Sequence, residues 1–236
     1  MGSNYIGSEL DLFSNAQQWK GYWSRVLRPY LGQNILDVGA GIGGTARVFA
    51  DHPCNSFVAL EPDPLLAQRI RNDSVAGGFP SSLSVVTGTS SDIPPSSTFD
   101  TILYIDVLEH IEADRAELDC ARSLLTPGGR IIVLAPAHQA LYSAFDAAVG
   151  HVRRYSRKTL LSAKPAGLNV ERMFYLDSVG LLASMGNRLL LRASSPSPGQ
   201  IALWDGKMVP ISKWLDPVFG HRLGKTIIAI FRSDSK

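Results

Sequence analysis

Apolar positions along the chain fall into two kinds of run. Short stretches rich in Val, Ile, Leu and Phe at 35–38, 56–60, 83–87, 101–105, 130–135, 169–175 and 226–232 predict strands. Between them, spacings of three and four predict helices over 45–51, 64–72, 112–125, 157–163 and 179–192. Residues 76–82 read as a loop, and 96–100 and Pro127-Gly128-Gly129 as turns. Strands that alternate with helices imply a mainly parallel sheet, and the final return makes its last strand antiparallel. Ahead of the first strand, Trp19, Trp23 and Val26, with Tyr22 beside them, share one helical face, so residues 1–32 are expected to form a helix that is either core or a lid. Residues 193–199 read as a linker, and 200–223 add Trp204, Trp214 and Phe219 without a clear period, an insertion within a domain of 33–236.

At 236 residues and 45% hydrophobic, the chain can bury one α/β core but not two. Its two cysteines, Cys54 and Cys120, have neither metal-type nor redox-type spacing, which points to a reducing, cytoplasmic setting. No apolar run approaches the roughly 20 residues of a bilayer span, so no transmembrane segment is expected. Net charge is only +2, but residues 1–150 hold 9 Lys+Arg against 16 Asp+Glu, and residues 151–236 hold 14 against 5. The acidic part suits a cationic ligand, and the basic part an acidic substrate or an anionic membrane, unless both are ordinary solvated faces. No basic run carries interleaved stacking aromatics, so no nucleic-acid partner is expected.

The first strand runs directly into Gly39, Gly41, Gly43 and Gly44, a turn that lays backbone against a ligand. Those glycines also satisfy the loose dinucleotide fingerprint. Asp37 argues against a pyrophosphate, because an anion just ahead of the turn repels what such a site must hold. The same carboxylate attracts the sulfonium and ammonium of S-adenosylmethionine, unless it only braces the loop. Glu61, about 20 residues on at the tip of the second strand, is placed to accept from ribose hydroxyls. Asp92, beyond the third strand, could accept from an adenine amino group or simply hold a turn. The fourth strand runs into Asp106-Val107-Leu108-Glu109-His110-Ile111, a dense polar cluster where ligands of open α/β sheets collect.

Taken in order, Asp37, the glycines, Glu61, Asp92, the 106–111 cluster and Pro127-Gly128-Gly129 resemble the class I S-adenosylmethionine-dependent methyltransferases over about residues 33–176. The likeness is greatest to the small-molecule branch that includes the ubiquinone-biosynthesis O-methyltransferases. It implies a Rossmann-like, seven-stranded, mainly parallel sheet with helices on both faces and its last strand antiparallel. It implies that Asp37, Gly39 and Gly41 hold the methionine end of the cofactor, Glu61 the ribose, and Asp92 with Ile93 the adenine. It adds Ala40, Pro62, Ile105 and Asp106 to the cofactor-binding set. In some relatives an acid-x-x-Glu-His cluster and a later His bind a divalent metal. Asp106, Glu109, His110 and His151 match that pattern, with Asp106 standing where those relatives carry Glu. A metal is therefore possible, but no metal ligands are assigned.

The expected chemistry is methyl transfer to a small-molecule or lipid-linked acceptor, at a hydroxyl oxygen, with His110 or His151 as the base that removes its proton. Both histidines could equally be structural. Arg153 and Arg154 could clamp an acidic group on the substrate, or be surface charge. The apolar helix over 179–192 could touch membrane or a greasy substrate, or pack in the core. Two rival classes stay open: a nicotinamide-dependent oxidoreductase, and a binding module that keeps the fold without turnover.

Overall fold

At the centre of the computed structural model lies β1 (Asn34–Val38), in a seven-stranded sheet of order β3-β2-β1-β4-β5-β7-β6. The structure describes residues 10, 13–186 and 197–235. Strands β2 (Ser56–Glu61), β3 (Leu83–Thr87), β4 (Phe99–Ile105) and β5 (Leu125–Pro136) run parallel to β1. β7 (Thr226–Ser233) inserts between β5 and β6 (Leu168–Leu176), antiparallel to both. The expected sheet with a reversed last strand is therefore present.

Both faces are dry, which is why the central strands read as continuous apolar runs. Leu36, Ile102 and Tyr104 point into one cluster, and Ile35 and Leu103 into the other. The helices covering these faces are α1 (Gln17–Leu27), α2 (Gly44–Val48), α3 (Pro64–Val75), α4 (Asp114–Ser123), α5 (Ala144–Ala148), α6 (Arg157–Ala163), α7 (Ser178–Gly186), α8 (Pro198–Leu203) and α9 (Val209–Val218). α3 starts where its sequence dictates: Asp63 accepts from the amides of Leu65 and Leu66, and Pro64 holds the first helical position.

Several boundaries differ from the sequence reading. Pro127-Gly128-Gly129 is not a turn ahead of a strand but part of β5, where pairing with β4 shifts register between Phe99 and Thr101. The glycines make that possible: Gly128 has φ +76, and a Cβ on Gly129 would lie 2.9 Å from the Thr126 carbonyl oxygen. The stretch expected to lack a period is helical, with α8 and α9 joined through a π-helical turn, Trp204–Met208. Of the linker expected at 193–199, residues 193–196 lie outside the described residues, as do 187–192 of the expected apolar helix.

On α1 the buried side chains are Trp19, Tyr22, Trp23 and Leu27, with Val26 partly buried. They pack in the same cluster as Ile201, Trp204 and Val209 from the C-terminal helices. α1 has no cap of its own, since Ala16 precedes it. Asp205 supplies one from the far end of the chain, accepting from the amides of Gln18 at 3.1 Å and Trp19 at 2.8 Å. Asp216 adds a second stitch, accepting from the Tyr22 hydroxyl and the amides of Asp177 and Ser178. Asp205→Ala leaves one buried and one part-buried helix-end donor without an acceptor, and should lower stability by about 1–2 kcal/mol in a urea titration.

Candidate functional site

Strand order reverses between β1 and β4, so their carboxyl ends open side by side, as ligand crevices in open α/β sheets do. A cavity of about 1980 Å³ lies there. Its floor is the loop after β1, where Gly39, Gly41 and Gly43 take φ +68, +57 and +78. The loop is held against both neighbours. Gly39 and Ala40 donate to the Leu60 carbonyl at 2.8 and 3.0 Å, and a Cβ on Gly39 would fall 2.7 Å from the Val107 methyls.

Glu61, at the end of β2, is the loop's second tether. It accepts from the amides of Gly41 at 2.7 Å and Asp63 at 3.0 Å, while burial raises its pKa. Asp37 lies beneath the loop, almost fully buried. The Thr45 hydroxyl bonds its carboxyl, but Oδ2 has no partner. Burial first, and Glu61 second, raise its pKa well above the ordinary carboxylate range. An orphaned carboxylate oxygen under a glycine loop is the chemistry a cation relieves.

Gly39, Ala40, Gly41, Glu61, Pro62, Ile105 and Asp106 all line the cavity. Asp92 and Ile93 do not, and neither does Asp37, which the loop covers. The Asp92 carboxylate accepts from the amide and hydroxyl of Thr89, both at 2.8 Å, and Ile93 is buried in the core. Asp92 holds a turn, while Gly88, Thr89 and Ser90 of the same loop face the cavity. Sequence spacing located this loop but not which of its residues reach the ligand space.

The opposite wall is built by the excursion between β5 and α6. Its base is closed where His138 N–H donates to the Tyr155 carbonyl and Tyr155 N–H donates to that of Pro136. The loop then folds back over β4: Val152 N–H donates to the Glu109 carbonyl at 2.9 Å, and the Tyr142 hydroxyl to the His151 carbonyl at 2.6 Å. His110 and His151 thereby meet, with ring centroids 4.6 Å apart and nearly perpendicular planes.

Asp146 orients His151, and sequence reasoning missed it. Its signal was the Ser143-x-x-Asp146 capping box that starts α5. Asp146 Oδ1 lies 3.0 Å from His151 Nδ1, and the carboxylate also takes both arms of Arg154 at 2.9 and 3.0 Å. Burial opposes its charge, but the bonds from His151 and Arg154 hold its pKa well below the usual range. An ionised carboxylate only accepts, so Nδ1 carries the imidazole proton and a neutral His151 keeps its lone pair on Nε2.

Nε2 lies 3.8 Å from Glu109 Oε1. Glu109 is fully buried, neither of its oxygens has a hydrogen-bond partner among the described residues, and burial raises its pKa strongly. His110 is pushed down to about 4, mainly by burial and then by His151. Asp106 holds φ +54 and exposes its side chain to the cavity, where the surrounding protein lifts its carboxyl to about 6 against the pull of His151 and Lys225. Ligand atoms of Glu109, His110 and His151 lie within 4.8 Å of one another, and the two bare Glu109 oxygens fit a divalent cation. The expected arginine clamp is not free. Arg153 pairs with Asp114 at 2.6 Å and Arg154 is spent on Asp146, so both guanidinium forks are engaged within the protein.

A family profile described as a methyltransferase domain matches residues 14–172. The chain is similar to ajmaline N-methyltransferase of Rauvolfia serpentina, with 31% identity over 46% of this chain and 38% of that protein. It is also similar to demethylmenaquinone methyltransferase of Tropheryma whipplei strain Twist, with 27% identity over 56% of this chain and 54% of that one. Each match thus spans about half or less of the curated relative. Among solved structures, the N-methyltransferase NodS of Bradyrhizobium japonicum in complex with S-adenosyl-L-homocysteine superposes with a TM-score of 0.54 at 15% identity, covering 98% of this chain and 89% of that one. The chain belongs to the methyltransferase-domain family and has the seven-stranded sheet of the class I S-adenosylmethionine-dependent enzymes.

Proposed function

We propose that this chain transfers a methyl group from S-adenosylmethionine to a hydroxyl oxygen of an apolar small-molecule or lipid-linked acceptor. The observation that carries the reading is His151, whose Nδ1 is held by Asp146 so that Nε2 keeps its lone pair, in the lining of the cavity that the glycine loop floors. Asp37, Gly39, Ala40 and Gly41 take the methionine end, Glu61 and Pro62 the ribose, and Ile105 with Asp106 the wall beside the sulfonium. Gly88, Thr89 and Ser90 replace Asp92 and Ile93 beside the adenine.

The cofactor supplies the electrophilic carbon, so the protein has to align the acceptor in line with the sulfonium and exclude water. Size supports two ligands, because about 1980 Å³ exceeds the roughly 300–1,000 Å³ of a single-ligand pocket. Leu141, Phe145, Trp204 and Met208 make the remote part apolar. α1 closes that part as the N-terminal lid. With both arginines engaged elsewhere, an apolar acceptor fits better than an acidic one. Two free cysteines, Cys54 and Cys120, suit a cytoplasmic setting.

The unpartnered Glu109 oxygens favour a second reading, in which Glu109, His110 and His151 hold a divalent cation that polarises the acceptor oxygen. Isothermal titration tests the cofactor: S-adenosylhomocysteine should bind and NADH should not. Tighter binding of NADH would return the chain to the oxidoreductases, and cofactor binding without labelled methyl incorporation into any acceptor class would make it a binding module. Dialysis against EDTA separates the two catalytic readings. Unchanged turnover supports the free base, and a loss restored by Mg²⁺ or Mn²⁺ supports the cation.

A further inference from the structure

Among the described residues, thirteen large apolar side chains are exposed, and eight of them fall between positions 182 and 223. On α9 they form a stripe at i, i+3 and i+7: Ile211 is 51% exposed, Trp214 79% and Val218 76%. α7, which packs against α9, exposes Leu182 at 67% and Met185 at 45%. Monomeric soluble surfaces scatter such residues singly, and concentrate them where something binds.

Charge selects the occupant. The only acids of residues 198–223 are Asp205 and Asp216, both buried and bonded, the first to α1 amides and the second to Tyr22, Asp177 and Ser178. Lys207 and Arg222 are exposed and Lys213 is half-buried. The segment therefore offers solvent apolar groups and positive charge alone, a combination matched by an anionic lipid surface. The face also continues into the cavity, since Leu203 is exposed and lines it, and Ala183 and Ser184 of α7 line it too.

We propose that α7, α8 and α9 dock this chain on an anionic lipid bilayer, with Trp214 as the interfacial anchor, so that apolar ligands enter the cavity from the membrane side. The claim is independent of the methyl transfer proposed above, because vesicle binding is read without cofactor or acceptor. Trp214 also gives a clean optical signal. The other three tryptophans, Trp19, Trp23 and Trp204, are buried but line the cavity, so the lipid-dependent change in emission that Trp214→Ser removes is the part that reports on Trp214.

The test is co-sedimentation of the full chain with vesicles of phosphatidylcholine alone and of equimolar phosphatidylcholine and phosphatidylglycerol. The chain should sediment with the anionic vesicles only, with binding that weakens as salt rises, and brominated lipid should quench its emission. Trp214→Ser should lower the partition coefficient roughly tenfold, with an unchanged melting temperature, and Lys207→Glu with Arg222→Glu should remove the preference for anionic lipid. Absence of sedimentation, equal partition into neutral vesicles, or unaltered binding by Trp214→Ser would overturn the proposal. So would a dimer in light scattering that Trp214→Ser dissociates, because the stripe would then be covered by a second copy.

Discussion

Alanine at position 151 should lower kcat by about 10²–10⁴-fold while leaving the affinity for S-adenosylhomocysteine unchanged. The split follows from where the imidazole lies. His151 belongs to the wall built by the excursion after β5, whereas the residues proposed above to hold the cofactor, the glycine loop and Glu61, line the cavity from β1 and β2. Asp146→Asn is a second probe, because it leaves the ring in place and changes what bonds Nδ1; it also weakens the pair with Arg154 and the Ser143 cap, so a melting curve has to accompany the kinetics. An amide offers a donor as well as an acceptor, so Nδ1 is no longer obliged to carry the proton and Nε2 can lose its lone pair. In a Ser-His-Asp triad the same exchange costs about 10⁴-fold. A comparable fall in kcat with KM unchanged is expected here, measured by labelled methyl transfer. Retention of full turnover in both variants would remove His151 from the chemistry.

The second large effect concerns Asp37. Exchange for asparagine keeps its shape and removes its charge, and should weaken S-adenosylmethionine binding by about 10–100-fold, the range for a hydrogen bond to a charged group. Stability should move the other way in the empty protein, because a buried carboxyl with an orphaned oxygen is itself a cost. The pH dependence has a definite sign. The folded pKa of Asp37 is raised above its ordinary value of 3.8, so in the window between the two the unfolded chain has lost the proton that the folded chain retains. Stability of the cofactor-free protein should therefore fall as pH rises through that window, and Asp37→Asn should flatten the fall. A bound cation favours the ionised form, so binding releases a proton and affinity should rise with pH. Calorimetry in buffers of different ionisation enthalpy counts that proton, and thermal melts follow the stability.

The sheet was legible because its signal is local. Both faces are covered, so Ile131 to Ala135 and Ile227 to Phe231 had to be apolar at every position, and a run of five such residues between breakers is hard to misread. The glycine loop was legible for a related reason, since positive φ at Gly39, Gly41 and Gly43 restricts which residues can stand there. What escaped depends on contacts between distant residues. Asp146 looks like an ordinary helix cap until the loop folds back and sets His151 beside it. Arg153 and Arg154 looked available because the sequence does not show that Asp114 and Asp146 meet them. Asp92 stands in a loop that lines the cavity, but its exposed carboxylate is engaged by Thr89. The 200–223 segment concealed its helices because a π-helical turn at Trp204–Met208 breaks the 3.6-residue period.

The Asp205 cap on α1 bears on the order in which the molecule can assemble. Trp19 and Asp205 are 186 positions apart, so during synthesis the first helix emerges long before the residue that completes its end. The central parallel strands can pair while the N-terminal aromatics are still waiting, and that wall of the pocket closes only when the last segment leaves the ribosome. A nascent chain stalled before position 205 would therefore hold only the parallel β3-β2-β1-β4-β5 part of the sheet, with β6 still lacking its partner β7, beside an unfinished binding chamber.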